Sequence, residues 1–333
     1  MNKQAAIIGD GAMGTLCSLL LSGNGWACSL WSAFEEHVAD MRRSGENKRF
    51  LPGFKLPEGL TVTADAAEAT ADAGLVVVAV PTQHLRGVLE RIKAGLPEAP
   101  VYVSVVKGVE TRTLLRPSEV IASVLGPRRL AILSGPCLSR EVAAGLPATV
   151  VVASQDADAA KQAQQAFAAP HFRVYTNDDV VGVELGGALK NVIAIAAGIC
   201  DGLELGSNAK AALVTRGLVE MTRLGVALGA KPETFAGLAG LGDLVTTCTS
   251  DLSRNHRVGC EIGRGRSLED ILSEMAPMEA EGVETTRSVA ALARRQSVEM
   301  PITREVYAVL FEGKPAPDAL ADLMSRAPKK EST

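Results

Sequence analysis

The sequence predicts an α/β fold in two parts: a doubly wound parallel sheet over residues 1–178 and an all-helical domain over residues 179–326. Three observations carry this expectation. Short β-rich runs alternate with helical patterns through the first half, as in a sheet wound with crossover helices. The β-rich runs stop at about Asn177, and helical periodicity then continues to Leu323. At 333 residues, the chain is also longer than a single hydrophobic core usually serves.

Eight runs read as strands: Ala5–Ile8, Ala27–Trp31, Leu60–Thr63, Leu75–Val80, Val101–Val106, Leu130–Ser134, Thr149–Ala153 and Phe172–Tyr175. The runs LVVVAV (75–80) and VYVSVV (101–106) are apolar on both faces, as central parallel strands covered by helices must be. Beyond them, helices are expected over Lys210–Leu228, Glu284–Arg295 and Thr303–Phe311. The stretch Val183–Gly198 is apolar nearly all the way round a helix, which indicates burial at the junction of the two parts. Its only charges are Glu184 and Lys190. Helical side chains lean over the preceding turn, so Lys190 would lie over Gly186 and Gly187. Two helix-weakening glycines at that point permit either close packing or the approach of a small polar ligand. A core helix whose lysine snorkels to solvent is the competing reading. The tail 327–333 (APKKEST) reads as disordered.

Composition narrows the function classes. The 34 basic residues nearly balance the 38 acidic ones without a long basic block, which points to neither nucleic acid nor a membrane surface. No apolar run was expected to reach the roughly 18 residues of a membrane span, and no signal peptide is apparent. The six cysteines (17, 28, 137, 200, 248 and 260) form no CxxC pair or metal-ligand spacing. Reduced thiols in a cytoplasmic, metal-free protein are therefore expected.

Directly after the first run stands GDGAMGT, with Gly9, Gly11 and Gly14 in G-x-G-x-x-G spacing and a helix over Thr15–Leu21. A strand before and a helix after are the context a Rossmann-type dinucleotide loop requires: Gly9 for the tight turn, Gly11 for close approach of the pyrophosphate, Gly14 for helix packing. A merely structural glycine turn is the alternative. Asp10, an acid between the first two glycines, must point away from the pyrophosphate or weaken its binding. The acid usually expected at the end of the second strand for the adenosine ribose is missing, since Ser32 and Ala33 stand there. Glu35, Glu36, Arg42 and Arg43 follow, leaving NAD and NADP both open as cofactors.

In open α/β sheets ligands bind outside the carboxyl ends of the strands, so polar residues there deserve inspection. The fourth run ends in AVPTQ, where Pro81 stops it beside the expected nicotinamide. The fifth ends at Lys107 and Gly108, and the sixth at Ser134, Gly135 and Cys137. Lys107 follows buried-type valines, so its charge needs a partner. In the helical part, Asp243 closes the small-residue run GLAGLGDL, and Ser253-Arg254-Asn255 offers hydroxyl, guanidinium and amide for an oxyanion. Taken alone, each is also an ordinary strand-ending turn, helix N-cap or surface charge.

The strings RFLPG (49–53), AVPTQ (79–83), VVKG (105–108), LSGP (133–136), FRVYTNDDVVGVELGGALKNVIAIAAG (172–198), GLAGLGDL (237–244), SRN (253–255) and EGVETT (281–286) occur in this order. With them the chain resembles the bacterial type of NAD(P)-dependent glycerol-3-phosphate dehydrogenase from Ala6 to Phe311. The resemblance implies interconversion of dihydroxyacetone phosphate and sn-glycerol 3-phosphate, feeding glycerophospholipid synthesis, and a homodimer. It makes Lys190 the active-site lysine, with Lys107 beside it as a second catalytic residue. Lys107, Gly135, Cys137, Asp243, Ser253, Arg254 and Asn255 match substrate positions. Gly9, Gly11, Ala12, Met13, Gly14, Ala33, Pro81, Lys107, Ser139, Arg254, Glu279 and Glu281 match cofactor positions. The chain departs from the family pattern at four places: Ser-Trp is usual at Ala12-Met13, alanine at Asp10, often a basic residue at Ala33, and serine or threonine at Cys137. Related two-domain dehydrogenases acting on hydroxy acids share the plan but not SRN or GLAGLGDL, and a sensor without turnover would have no use for both lysines.

Overall fold

The computed structural model describes residues 3–328, 330 and 331. Residues 329, 332 and 333 of the expected tail therefore lie outside the described residues. The first part is an eight-stranded sheet of β1 (Gln4–Ile8), β2 (Ala27–Trp31), β3 (Thr61–Thr63), β4 (Leu75–Val78), β5 (Val101–Ser104), β6 (Arg129–Ser134), β7 (Ala148–Ala153) and β8 (Phe172–Asn177). Their spatial order is β3-β2-β1-β4-β5-β6-β7-β8. The chain thus winds outward from β1 to β3, then from β4 to the opposite edge. The reversal between β1 and β4 is the switch point at which ligands are expected. Side chains alternate as central strands demand: Ile7 and Val77 enter one apolar layer, Ile8, Val76 and Val78 the other, all fully buried.

The sheet departs from the all-parallel expectation at one seam. Strands β1 to β6 are mutually parallel, but β7 runs antiparallel to β6 and carries β8 with it. The connection between β6 and β7 explains this. Its helix, Ser139–Ala143, has 5 residues and spans about 8 Å, whereas the 6 residues of β6 span about 20 Å. So short a helix does not carry the chain back to the far end of the sheet, and it enters β7 from the end at which β6 leaves. Two strands also end earlier than their apolar runs. Residues 79–81 and 105–107 leave the ladder after β4 and β5 and point the chain toward the helical part.

The second part is helical throughout, with helices at Gly206–Ala227, Glu281–Arg295 and Pro301–Phe311 where periodicity placed them. All of them pack around the core helix Val180–Gly202. Asp179 caps that helix by accepting from Gly182 N at 2.9 Å, and also takes Lys231 N (2.9 Å) and Thr234 Oγ1 (2.7 Å). Contrary to the expectation that no run would qualify, this helix is long and apolar enough to cross a membrane; 89% of its most apolar window, however, is buried inside the fold. Helix Arg254–Gly263 lies directly on it. A Cβ at Gly198 would stand 2.0 Å from His256 O, and one at Gly259 2.0 Å from Ile195 O, so the two backbones touch only because both positions are glycine.

Candidate active site

Three charges converge where the end of β5 meets the helical part. Lys107 leaves β5 and places Nζ 2.6 Å from Asp243 Oδ2. Lys190, midway along the core helix, donates to Asp243 Oδ1 and, at 2.6 Å, to Thr247 Oγ1. Asp243 opens helix Asp243–Thr249, directly after the π-helical turn Leu238–Gly242. The side chains of Asp243 and Lys190 are 3% and 8% exposed and that of Lys107 is 17%, so Lys107 is the more accessible ammonium.

This geometry corrects the reading of the paired glycines as open backbone beneath a ligand. A Cβ at Gly186 would stand 2.5 Å from Ala239 O, and one at Gly187 2.7 Å from Ser134 Oγ. Protein fills both spaces. Gly186 lets the turn before Asp243 abut the core helix, and Gly187 makes room for Ser134 and the Lys107 stem. Close packing, the other reading of these glycines, is what brings one carboxylate to two lysines.

The electrostatics separates the lysines. Burial would lower the Lys107 pKa, but the Asp243 carboxylate outweighs it and the net shift is upward. For Lys190 burial dominates, the like charge of Lys107 adds to it, and Asp243 only partly opposes, so its pKa falls. Burial would raise Asp243, yet attraction to Lys107 and then Lys190 holds it below the usual carboxylate range. Two ammoniums and one carboxylate leave one net positive charge in a nearly dry site, which suits an oxyanion or a phosphate.

The other candidate residues fall into two groups. On the substrate side, Gly135 O accepts from Lys107 Nζ at 3.1 Å and from the Cys137 thiol at 3.1 Å. Gly135 has φ +125°, a conformation that favours glycine. Burial raises the Cys137 pKa, keeping it a thiol donor. Ser253 acts as an N-cap, its Oγ accepting from His256 N at 3.2 Å. Asn255 is held by protein on both sides: Nδ2 donates to Asn191 Oδ1 (2.9 Å) and Oδ1 accepts from Gly282 N (2.9 Å). Of the trio, exposed Arg254 alone makes no hydrogen bond or ion pair among the described residues. It lies near Glu281, whose carboxyl burial pushes up and Arg254 draws back.

On the cofactor side, the glycine loop ends at the N-terminus of helix Ala12–Gly23, which no side chain caps. A Cβ at Gly9 would meet Ala79 O at 2.7 Å and one at Gly14 would meet Gly9 O at 1.9 Å, while Gly11 faces open space. Tight turn, open approach and helix packing thus sit at the three glycines assigned to them, and the loop fits a dinucleotide pyrophosphate. Met13 Sδ accepts from Ser139 Oγ at 3.8 Å, joining two of the cofactor candidates, with Ala12 beside them. Pro81 is the N-cap of helix Thr82–Ile92, whose Thr82 N donates to Glu281 Oε1 at 3.3 Å. Glu279 lies further out, 2.9 Å from His84 Nε2. Half-buried Ala33 follows β2. Asp10 turns away from the loop's N–H groups toward Ser32 and His37.

Sequence reasoning missed Thr247 and Asn191. Thr247 carries a signal in retrospect, one helical turn after Asp243 on the same helix. Asn191 is adjacent to Lys190. Nor did linear spacing reveal the cluster of Asp201, His256 and Cys260, whose donor atoms lie within 4.8 Å of one another. The ammonium of Lys210 already occupies Asp201 Oδ2 at 2.7 Å there. All six cysteines are free.

Residues 4–160 match the family model for the NAD-dependent glycerol-3-phosphate dehydrogenase N-terminus, and residues 179–321 match the model for its C-terminus. The chain is 52% identical over 334 residues to a glycerol-3-phosphate dehydrogenase (NAD(P)+) of Geobacter sp. (strain M21), covering 99% of each. It is 52% identical over 328 residues to that of Syntrophotalea carbinolica, covering 98% of each. The crystal structure of glycerol-3-phosphate dehydrogenase from Coxiella burnetii superposes with a TM-score of 0.94 at 40% identity, covering 97% of this chain and 99% of that one. The chain belongs to the NAD-dependent glycerol-3-phosphate dehydrogenase family.

Proposed function

We propose that the chain is an oxidoreductase interconverting sn-glycerol 3-phosphate and dihydroxyacetone phosphate with NAD(H) or NADP(H), with Lys190 as the general acid/base. One observation carries this reading: a single buried carboxylate, Asp243, is shared by two lysines in a chain whose glycine loop fits a dinucleotide. The nicotinamide, when bound, supplies or takes the hydride. The chain handles the charge and the proton. As the ketone oxygen gathers negative charge, Lys107 stabilises it and Lys190 supplies the proton from Nζ. In the reverse direction the neutral amine of Lys190 takes the hydroxyl proton, and its lowered pKa favours that form. Asp243 and Thr247 hold the Lys190 ammonium in place. Arg254 holds the phosphate away from the reacting carbon and so fixes its orientation.

The family resemblance supports a role in supplying glycerol 3-phosphate for glycerophospholipids, a cytoplasmic location and a homodimer. The limits of the two family matches support a domain boundary at 178/179. The test is the loss of reduced-nicotinamide absorbance on adding dihydroxyacetone phosphate. Lys190→Ala is expected to lower kcat by about 10² or more while cofactor still binds. Near-normal kcat in that variant removes Lys190 from the mechanism.

A further inference from the structure

We propose that Asp10 stands in for the missing acid at the end of β2 and selects NAD(H) over NADP(H) by presenting its carboxylate to the adenosine ribose. The inference rests on the dinucleotide reading of the glycine loop. In such folds the ribose lies against the end of the second strand, where an acid accepts from the 2′-hydroxyl. Here Ser32 and Ala33 hold that place, and neither is charged. Asp10 reaches it from the loop instead: Oδ2 accepts from Ser32 Oγ at 2.8 Å and from His37 Nδ1 at 3.0 Å. Among the described residues Oδ1 takes no hydrogen bond. The backbone of Asp10 is fixed as well, its carbonyl accepting from Asn47 Nδ2 at 2.6 Å. The carboxylate is therefore both held and half free.

Three arginines that follow β2 each have a partner in the fold. Arg42 Nε donates to Val62 O at 2.8 Å, and Arg43 pairs with Asp40 at 2.5 Å. Arg49 donates to His37 Nε2, on the opposite side of the ring from Asp10. With Nε2 facing the Arg49 guanidinium, the Nδ1–H tautomer lets His37 donate to Asp10 Oδ2. The Asp10 carboxylate stands at the end of β2, with Glu35 and Glu36 on the next turn and Arg49 beyond the His37 ring. A 2′-hydroxyl can donate to Asp10, whereas a 2′-phosphate meets like charge.

The test is a fluorescence titration of NADH and NADPH against the intact protein, Asp10→Ala and Asp10→Asn, with a thermal melt to verify folding. Wild type is expected to bind NADH at least about tenfold more tightly than NADPH. Both variants should bring the two dissociation constants together, with NADPH binding tightened. Asp10→Asn keeps an acceptor for Ser32 and separates loss of charge from loss of structure. Equal binding of the two cofactors by wild type, or an unchanged ratio in a folded variant, overturns the assignment. If folded wild type binds neither, the dinucleotide reading itself falls and takes this assignment with it.

Discussion

Replacing Asp243 with asparagine removes the one carboxylate shared by Lys107 and Lys190 and leaves the side-chain outline intact. At the 2.6 Å separation from Lys107, each pair attracts by about 6 kcal/mol at an effective dielectric of about 20, and desolvation offsets much of it. Removing one partner of a buried pair typically costs about 3–5 kcal/mol. The Lys107 side chain is 17% exposed and can turn toward water, so the lower end, about 3 kcal/mol, is expected. For a chain of 333 residues that corresponds to a melting temperature lower by about 4 °C. Activity gives the second readout. Without Asp243, burial and Lys107 both act on Lys190 in the downward direction. Reduction of the ketone needs the ammonium form, so the alkaline limb of its kcat profile should move to lower pH. Steady-state reduction at saturating cofactor from pH 5.5 to 9, with NADH binding confirming a folded loop, measures it. A limb that stays in place, or moves to higher pH, would refute the idea that Asp243 sets the protonation of Lys190.

Three further outcomes are expected. Gly186→Ala puts a Cβ 2.5 Å from Ala239 O and should cost about 1–3 kcal/mol by displacing the turn that carries Asp243; a kcat loss beside the lower melting temperature is the check. Arg254→Ala should raise KM for dihydroxyacetone phosphate with a smaller change in kcat, and an unchanged KM counts against phosphate binding. Glu220 holds Ile302 N at 2.7 Å and Thr303 N at 3.2 Å, and burial lifts its pKa to about 7 against those bonds. Its unfolded value is about 4.3, so the folded state holds the extra proton between the two. The contribution of Glu220 to stability is then full below about pH 4.3 and falls by up to about 3 kcal/mol as pH rises to about 7. Melting curves of Glu220→Gln should lack this decline between pH 5 and 7.5.

Much of the fold was legible because apolar runs bounded by turn residues report strands directly, and all eight runs are strands. Direction was not. Whether β7 pairs parallel or antiparallel depends on whether residues 135–147 can span the sheet, and a 5-residue helix leaves no periodicity to read. In the site, Lys107, Lys190 and Asp243 were each visible as charges set among apolar or small residues, since a buried charge needs a stated reason. Their convergence on one carboxylate was not visible, because residues 107, 190 and 243 come from three separate elements. Ser253 and Asn255 serve the fold as well. Their side chains suit an oxyanion by type, and in the fold they cap a helix and clamp it to its neighbours.

The glycines explain how the site can be both dry and open. At Gly14 against Gly9, at Gly186 against Ala239 and at Gly198 against His256, a missing Cβ lets backbone meet backbone. Each contact sets one functional group: the helix N-terminus over the loop, Asp243 between its lysines, and the helix bearing Arg254 and Asn255 along the core helix. Backbone contacts of this kind have no rotamers and so position groups more rigidly than side-chain packing does. Gly11 is the exception among the functional glycines, because nothing lies within 4 Å of where its Cβ would be. At an uncapped helix N-terminus, that open space leaves room for the close approach the dinucleotide reading asks of Gly11. The same comparison separates the uncrowded glycine of this loop from its two packing glycines, a distinction that spacing in the sequence can suggest only by analogy.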